Sequence, residues 1–154
     1  MSYPDRILRV AGLAMTIVFA SSCSSGPSAG SPPDGLVFER VRRGDSDIVL
    51  VEDGQTQDLL GSSFDESEPV WSPDGAWIAF SSDMDGDFDI YVVRPDGTDV
   101  SKITDNDLDD TDPDWSPDGK YLVFSGEEGG EISPLDLYTI SRAGGDAAFR
   151  RSNR

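Results

Sequence analysis

The sequence predicts an all-β chain: a partial β-propeller of about three four-stranded antiparallel blades, preceded by a signal peptide and a flexible linker. Three observations carry this expectation. The phrase EPVWSPDGAWIAF at Glu68–Phe80 returns as DPDWSPDGKYLVF at Asp112–Phe124, which sets Trp71 and Trp115 44 residues apart. The turn phrases are followed by short runs of β-branched, aromatic and aliphatic residues, the composition of strands. Within these runs the apolar residues are consecutive, as in WIAF and IYVV, so both faces of each small sheet must be covered. Sheets stacked face to face around an axis meet that demand.

In the middle copy the strands are expected at Ile78–Ser81, Asp89–Val93 and Ser101–Thr104, after a strand that carries Trp71. The turns have a mechanism. In SPDG the proline presets φ at the second position, aspartate bonds back to the backbone, and glycine accepts the positive φ of a bulged hairpin. RPDG at Arg94–Gly97 repeats the device. The copy register extends further, since DFDIYVVRPDGTD from Asp87 aligns with PLDLYTISRAGGD from Pro134. A weaker first copy starts at SPPDGLVFER and runs through DSDIVLV to QDLLG, without a tryptophan. The three copies span about 34–66, 67–110 and 111–154. The last ends in AAFRRSNR, where a final strand is expected but Arg150, Arg151 and Arg154 replace the apolar and acidic character of its counterpart.

Residues 1–22 read as an export signal. Arg6 and Arg9 precede an eleven-residue apolar stretch, Val10–Ala20, which is too short to span a bilayer as a helix. Small residues then lead to Cys23, and the segment resembles a bacterial lipoprotein signal, which implies lipidation at Cys23. Ser24 lacks the acidic retention signal of such proteins, so the resemblance implies the outer membrane, facing the periplasm. Residues 23–33, rich in Ser, Gly and Pro, are expected to form a tether.

Composition narrows the chemistry. Thirty acidic residues against twelve basic ones give a net charge of −18, which repels nucleic acid phosphates. The chain has no histidine and one cysteine, so imidazole catalysis, Ser-His-Asp and Cys-His constellations, and zinc sites built on His or several Cys are excluded.

The block WSPDGAWIAFSSDMDGDFDIYVVRPDGTDVSKIT resembles the repeat of TolB-type, WD-like β-propellers of bacterial envelopes, and the resemblance covers roughly residues 31–146. In that family the motif residues are structural. The resemblance therefore implies that Trp71 and Trp115 pack between blades, and that Pro73, Asp74, Gly75, Pro117, Asp118 and Gly119 build hairpins. It also implies a non-enzymatic envelope lipoprotein that binds a protein or glycan partner, or serves as a scaffold, with no cofactor. Two alternatives remain: the accessory propeller of a peptidase, hydrolase or lyase, and a truncated propeller fragment. Closed propellers have about four to eight blades, so three copies also suggest a homodimer that completes the ring.

One loop suggests a metal. DMDGDFD at Asp83–Asp89 offers Asp83, Asp85 and Asp87 as candidate calcium ligands, because carboxylate oxygens suit this hard cation. It is not an EF-hand: Gly86 is at the fourth position rather than the sixth, and no glutamate stands at the twelfth. The same residues equally suit a solvated hairpin turn.

Overall fold

The computed structural model describes residues 35–42, 44–126, 136–145 and 148–149. The signal segment, Cys23, the tether and the three terminal arginines lie outside them. The described residues are all β, with no helix. Eleven strands occur in chain order: β1 (Leu36–Arg42), β2 (Asp45–Glu52), β3 (Gln55–Asp58), β4 (Glu66–Trp71), β5 (Ile78–Ser82), β6 (Asp89–Val93), β7 (Ser101–Lys102), β8 (Asp110–Trp115), β9 (Tyr121–Gly126), β10 (Asp136–Ser141) and β11 (Ala148–Phe149). They form three antiparallel meanders, β1-β2-β3, β4-β5-β6-β7 and β8-β9-β10-β11. The first has three strands among the described residues.

The consecutive apolar residues have the reason expected of them. Ile78 and Phe80 of β5, with Tyr91 and Val93 of β6, pack toward the first sheet, where they meet Val37, Ile48 and Leu50. Their neighbours Ala79, Ile90 and Val92 point the other way and meet Leu122, Phe124 and Ile140 of the third sheet. The middle sheet is thus apolar on both faces because each face is an interior. Side-chain stacking repeats across the copies, with ring centroids 5.7 Å apart for Phe80 and Tyr91 and 5.6 Å for Phe124 and Tyr138.

The repeat extends to irregularities. β4 shifts register against β5 between Ser67 and Val70, and β8 does the same against β9 between Thr111 and Asp114. At each bulge a non-glycine residue, Glu68 (φ 56°) or Asp112 (φ 54°), takes the left-handed conformation and precedes a proline. A bulge kept in both copies re-aims the strand so that the next tryptophan enters the seam between sheets.

Candidate functional site

The SPDG turns are closed by the bonds their residue types supply. Gly75 N–H donates to the Ser72 carbonyl (2.9 Å), and the Asp74 carboxylate accepts from Ser72 Oγ (2.6 Å) and Ala76 N–H (3.0 Å). The second turn matches it, with Gly119 N–H to Ser116 O at 2.8 Å and Asp118 accepting from Ser116 Oγ at 2.7 Å and Lys120 N–H at 3.2 Å. Gly75 and Gly119 both have φ of 66°, which favours glycine. Hydrogen bonding from Ser116 holds the Asp118 carboxyl below its ordinary value. Burial pushes Asp74 up, but bonds from Ser72 and Ala76 outweigh it and the carboxyl ends below its ordinary value. Pro73 and Pro117 sit inside these turns.

Trp71 and Trp115 end β4 and β8 and are buried in successive seams. Trp115 Nε1–H donates to the Val70 carbonyl of β4, 3.2 Å away. Trp71 Nε1 is buried with no hydrogen-bond partner.

The acidic loop is organised differently from a three-aspartate run. Asp83 Oδ1 accepts the Asp65 N–H (2.9 Å), and Asp65 Oδ1 accepts the Ser46 N–H (2.8 Å), so Asp83 belongs to a backbone clamp between the first two sheets. The carboxylates that converge are Asp85, Asp87 and Asp89, with oxygens within 4.8 Å of one another. Lys102 of β7 reaches into the group. Its ammonium pairs with Asp85, lies 2.8 Å from Asp89 Oδ2 and 2.5 Å from Asp105 Oδ1. The Asp89 contact is charge proximity without hydrogen-bond geometry, since Oδ2 has no hydrogen-bond partner. Burial works against the Lys102 charge, but the carboxylates of Asp105, Asp85 and Asp89 around it outweigh that and raise its pKa. Asp85 is held below its ordinary value by Lys102. Burial pushes Asp89 up against the opposing pull of Lys102 and Thr104. An oxygen-rich group of this kind fits a hard cation, and an ammonium already sits among its oxygens.

A second acidic pattern is written into the seams. Glu66 and Asp110, 44 residues apart, begin β4 and β8 and are both buried. Ser62 Oγ donates to Glu66, and Asn106 Nδ2 donates to Asp110 at 2.7 Å, again from positions 44 apart. Asp65 takes the Ser46 N–H, and Asp109 takes the Phe88 N–H at 3.0 Å. Burial pushes the Asp110 carboxyl up to about 6, helped by repulsion from Asp89 and Asp87. Burial likewise raises Glu66. Reasoning from the sequence missed Asp89 with its neighbours Lys102 and Asp110, because they converge from different strands, and missed Glu66 at the equivalent place one seam earlier. The 44-residue recurrence of Ser62/Glu66 and Asn106/Asp110 was the available signal.

The two end faces are apolar. Leu36, Phe38, Val49 and Val51 share the face of the first sheet that is turned away from the second, because the register pairs Leu36 with Val51 and Phe38 with Val49. On the third sheet the outward face carries Tyr121, Val123 and Leu137, with Leu137 49% and Tyr121 53% exposed.

Comparison with known proteins places this geometry. A family described as the TolB beta propeller domain matches residues 14–151. The chain is 57% identical over 35 residues to the Tol-Pal system protein TolB of Syntrophus aciditrophicus, which covers 23% of this chain and 8% of that protein. Among solved structures, a TolB candidate from Agrobacterium tumefaciens superposes with a TM-score of 0.68 at 28% identity, over 75% of this chain and 44% of the other. TolB from Acinetobacter baumannii superposes at 0.65 and 20% identity, over 75% and 29%, a likeness of fold. The chain therefore spans less than half the length of each of these relatives.

Proposed function

Because the chain belongs to the TolB beta propeller domain family, we propose that it is a non-enzymatic protein-binding or scaffold module of the cell envelope, held to the outer membrane through lipidated Cys23 and facing the periplasm. The observation that carries the binding role is the pair of apolar sheet faces at the two ends of the stack, where Leu36 on one and Tyr121 and Leu137 on the other are exposed, since exposed apolar groups of this kind mark interaction surfaces. The name of the Syntrophus relative, a Tol-Pal system protein, supports an envelope setting. Partners are envelope proteins or glycans, not nucleic acid, given the net charge of −18. In-cell cross-linking from residues placed at positions 36 and 137, one on each end face, followed by identification of the captured species, tests the role. Capture of no envelope component from either face removes it. Intact-mass analysis of the mature chain tests the anchor, and a mature mass without diacylglycerol on Cys23 overturns it.

A second reading follows from the end faces. Val123, Leu137 and Thr139 stand where Ala79, Ile90 and Val92 stand in the middle sheet, while Phe38 and Val51 stand where Phe80 and Val93 do. The two end faces are the two halves of a seam that the chain already uses internally. Two copies seated head to tail through them close a six-bladed ring with two-fold symmetry. Light scattering decides: a folded monomer at every concentration rules out the ring.

The cluster of Asp85, Asp87 and Asp89 is the candidate calcium site within this module, with Lys102 as the resident positive charge that calcium must displace.

A further inference from the structure

We propose that the free edge of β1 is a strand-acceptor site, which takes an extended, basic segment of a partner protein as the fourth strand of the first sheet. This rests on the protein-binding reading above and states where such binding occurs.

In the second and third sheets the innermost hairpin partner, β5 or β9, is flanked by the tryptophan strand, β4 or β8. β1 is the counterpart of β5, and among the described residues nothing pairs with its other edge. An unpaired strand edge presents a row of backbone donors and acceptors that another strand can satisfy. The second observation is independent of the sheet order. β8 packs on both β5 and β4, and the Val70 carbonyl of β4 satisfies the Trp115 indole. Trp71 holds the equivalent place one seam earlier, is 9% exposed, and its Nε1–H has no partner. The carbonyl it lacks is the one that a strand beside β1 would carry. A buried donor without a partner costs free energy that a docked carbonyl recovers.

The neighbouring sheets also define the occupant. β4 and β8 run antiparallel to β5 and β9 and carry a left-handed residue, a proline and then the residue whose carbonyl or side chain enters the seam. The occupant is therefore an antiparallel segment of that form. Its charge follows from the host: an acceptor of net charge −18 favours a basic segment in encounter and in the complex.

The probe is a synthetic peptide with the β4 sequence ESEPVWS flanked by lysines, titrated into the isotope-labelled full-length chain. The indole N–H signal of Trp71 and the amides of Leu36–Arg42 are expected to shift and gain exchange protection, while the indole of Trp115 stays in place. Trp71→Phe, which keeps the packing and removes the donor, should weaken the peptide by roughly fivefold, the worth of one neutral hydrogen bond. A glutamate-flanked peptide should bind more weakly still. An unmoved Trp71 indole and unmoved β1 amides at millimolar peptide overturn the proposal. So does protection of both without peptide, which assigns the edge to the chain itself if it is independent of dilution and to a second copy if it falls on dilution. An envelope protein cross-linked to the end faces with β1 unmoved would sink the strand site and leave the scaffold reading standing, whereas no contact on any face removes both.

Discussion

Trp71 and Trp115 occupy the same place in consecutive seams, yet their indoles meet different surroundings. At the second seam β8 lies across a sheet that has its tryptophan strand, and the Trp115 indole is hydrogen-bonded to Val70. At the first seam β4 lies across a sheet of three described strands, and the Trp71 indole is bonded to nothing. The apolar contacts are alike in kind, with aromatic pairs and aliphatic residues in both. The difference is in polar closure, which teaches that apolar pattern alone stacks the sheets while the tryptophan strand of the preceding copy completes the seam.

The largest expected effect tests the likeness of the two apolar interiors. Phe80 and Phe124 are fully or almost fully buried in the first and second seams, and each change to alanine should cost about 3–5 kcal/mol in urea unfolding. A much smaller loss at Phe80 would show that the first sheet opens separately from the rest.

Next in size is Lys102→Met. It leaves the buried Asp89 carboxylate beside Asp85 and Asp87 without its cation, and should cost about 2–4 kcal/mol at neutral pH. If the aspartates form a calcium site, millimolar calcium should raise the melting temperature of this variant more than that of the native chain. Equal or absent shifts leave the loop as a hairpin neutralised from within.

Asp110 gives the second seam a pH dependence. A carboxyl whose pKa rises on folding favours the folded state in its protonated form. Its penalty is absent below the ordinary value of 3.8, grows as pH climbs, and is complete above about 6. The raised values of Glu66 and Asp89 act in the same direction. Stability should therefore rise between pH 7.5 and 5, and Asp110→Asn should flatten the profile, adding about 1–2 kcal/mol at the higher pH. Thermal unfolding across this range measures it, and an unchanged slope in the variant refutes the assignment to Asp110. Below the ordinary carboxyl range the trend reverses, because Asp85, held low by Lys102, loses its pairing when protonated.

The smallest effect bears most directly on the comparison. Trp115→Phe removes a made hydrogen bond and should cost about 1 kcal/mol more than Trp71→Phe, which removes a donor that has no partner. Equal losses in denaturant titration would mean that the two indoles are equally satisfied in solution.

How much of this the sequence discloses depends on whether the cause is local. The SPDG turns are legible because the serine, aspartate and glycine that bond one another are within four residues. The two-sided sheet is legible because consecutive apolar residues in a strand admit one explanation. The sequence offers Asp83, Asp85 and Asp87 as the cation group because carboxylate oxygens suit a hard cation, and that chemistry does not say where each side chain points. The structure turns Asp83 to the Asp65 backbone and brings in Asp89, whose place on β6 aims it at Lys102. Lys102 itself lies 17 residues beyond Asp85, and nothing in the local pattern joins them. The buried pair Asp89 and Asp110 arises only when two copies are stacked.

Among the described residues the middle sheet packs a neighbouring sheet on each of its two faces, and its clamps to either neighbour recur at intervals of about one copy. A tandem duplication of residues 66–109, inserted after Asp109, would thus present to each neighbour the surface that neighbour already accepts. The array can lengthen by whole copies without redesign of any seam, so the number of sheets in such a chain is free to change through gene duplication while the chemistry of the join stays fixed.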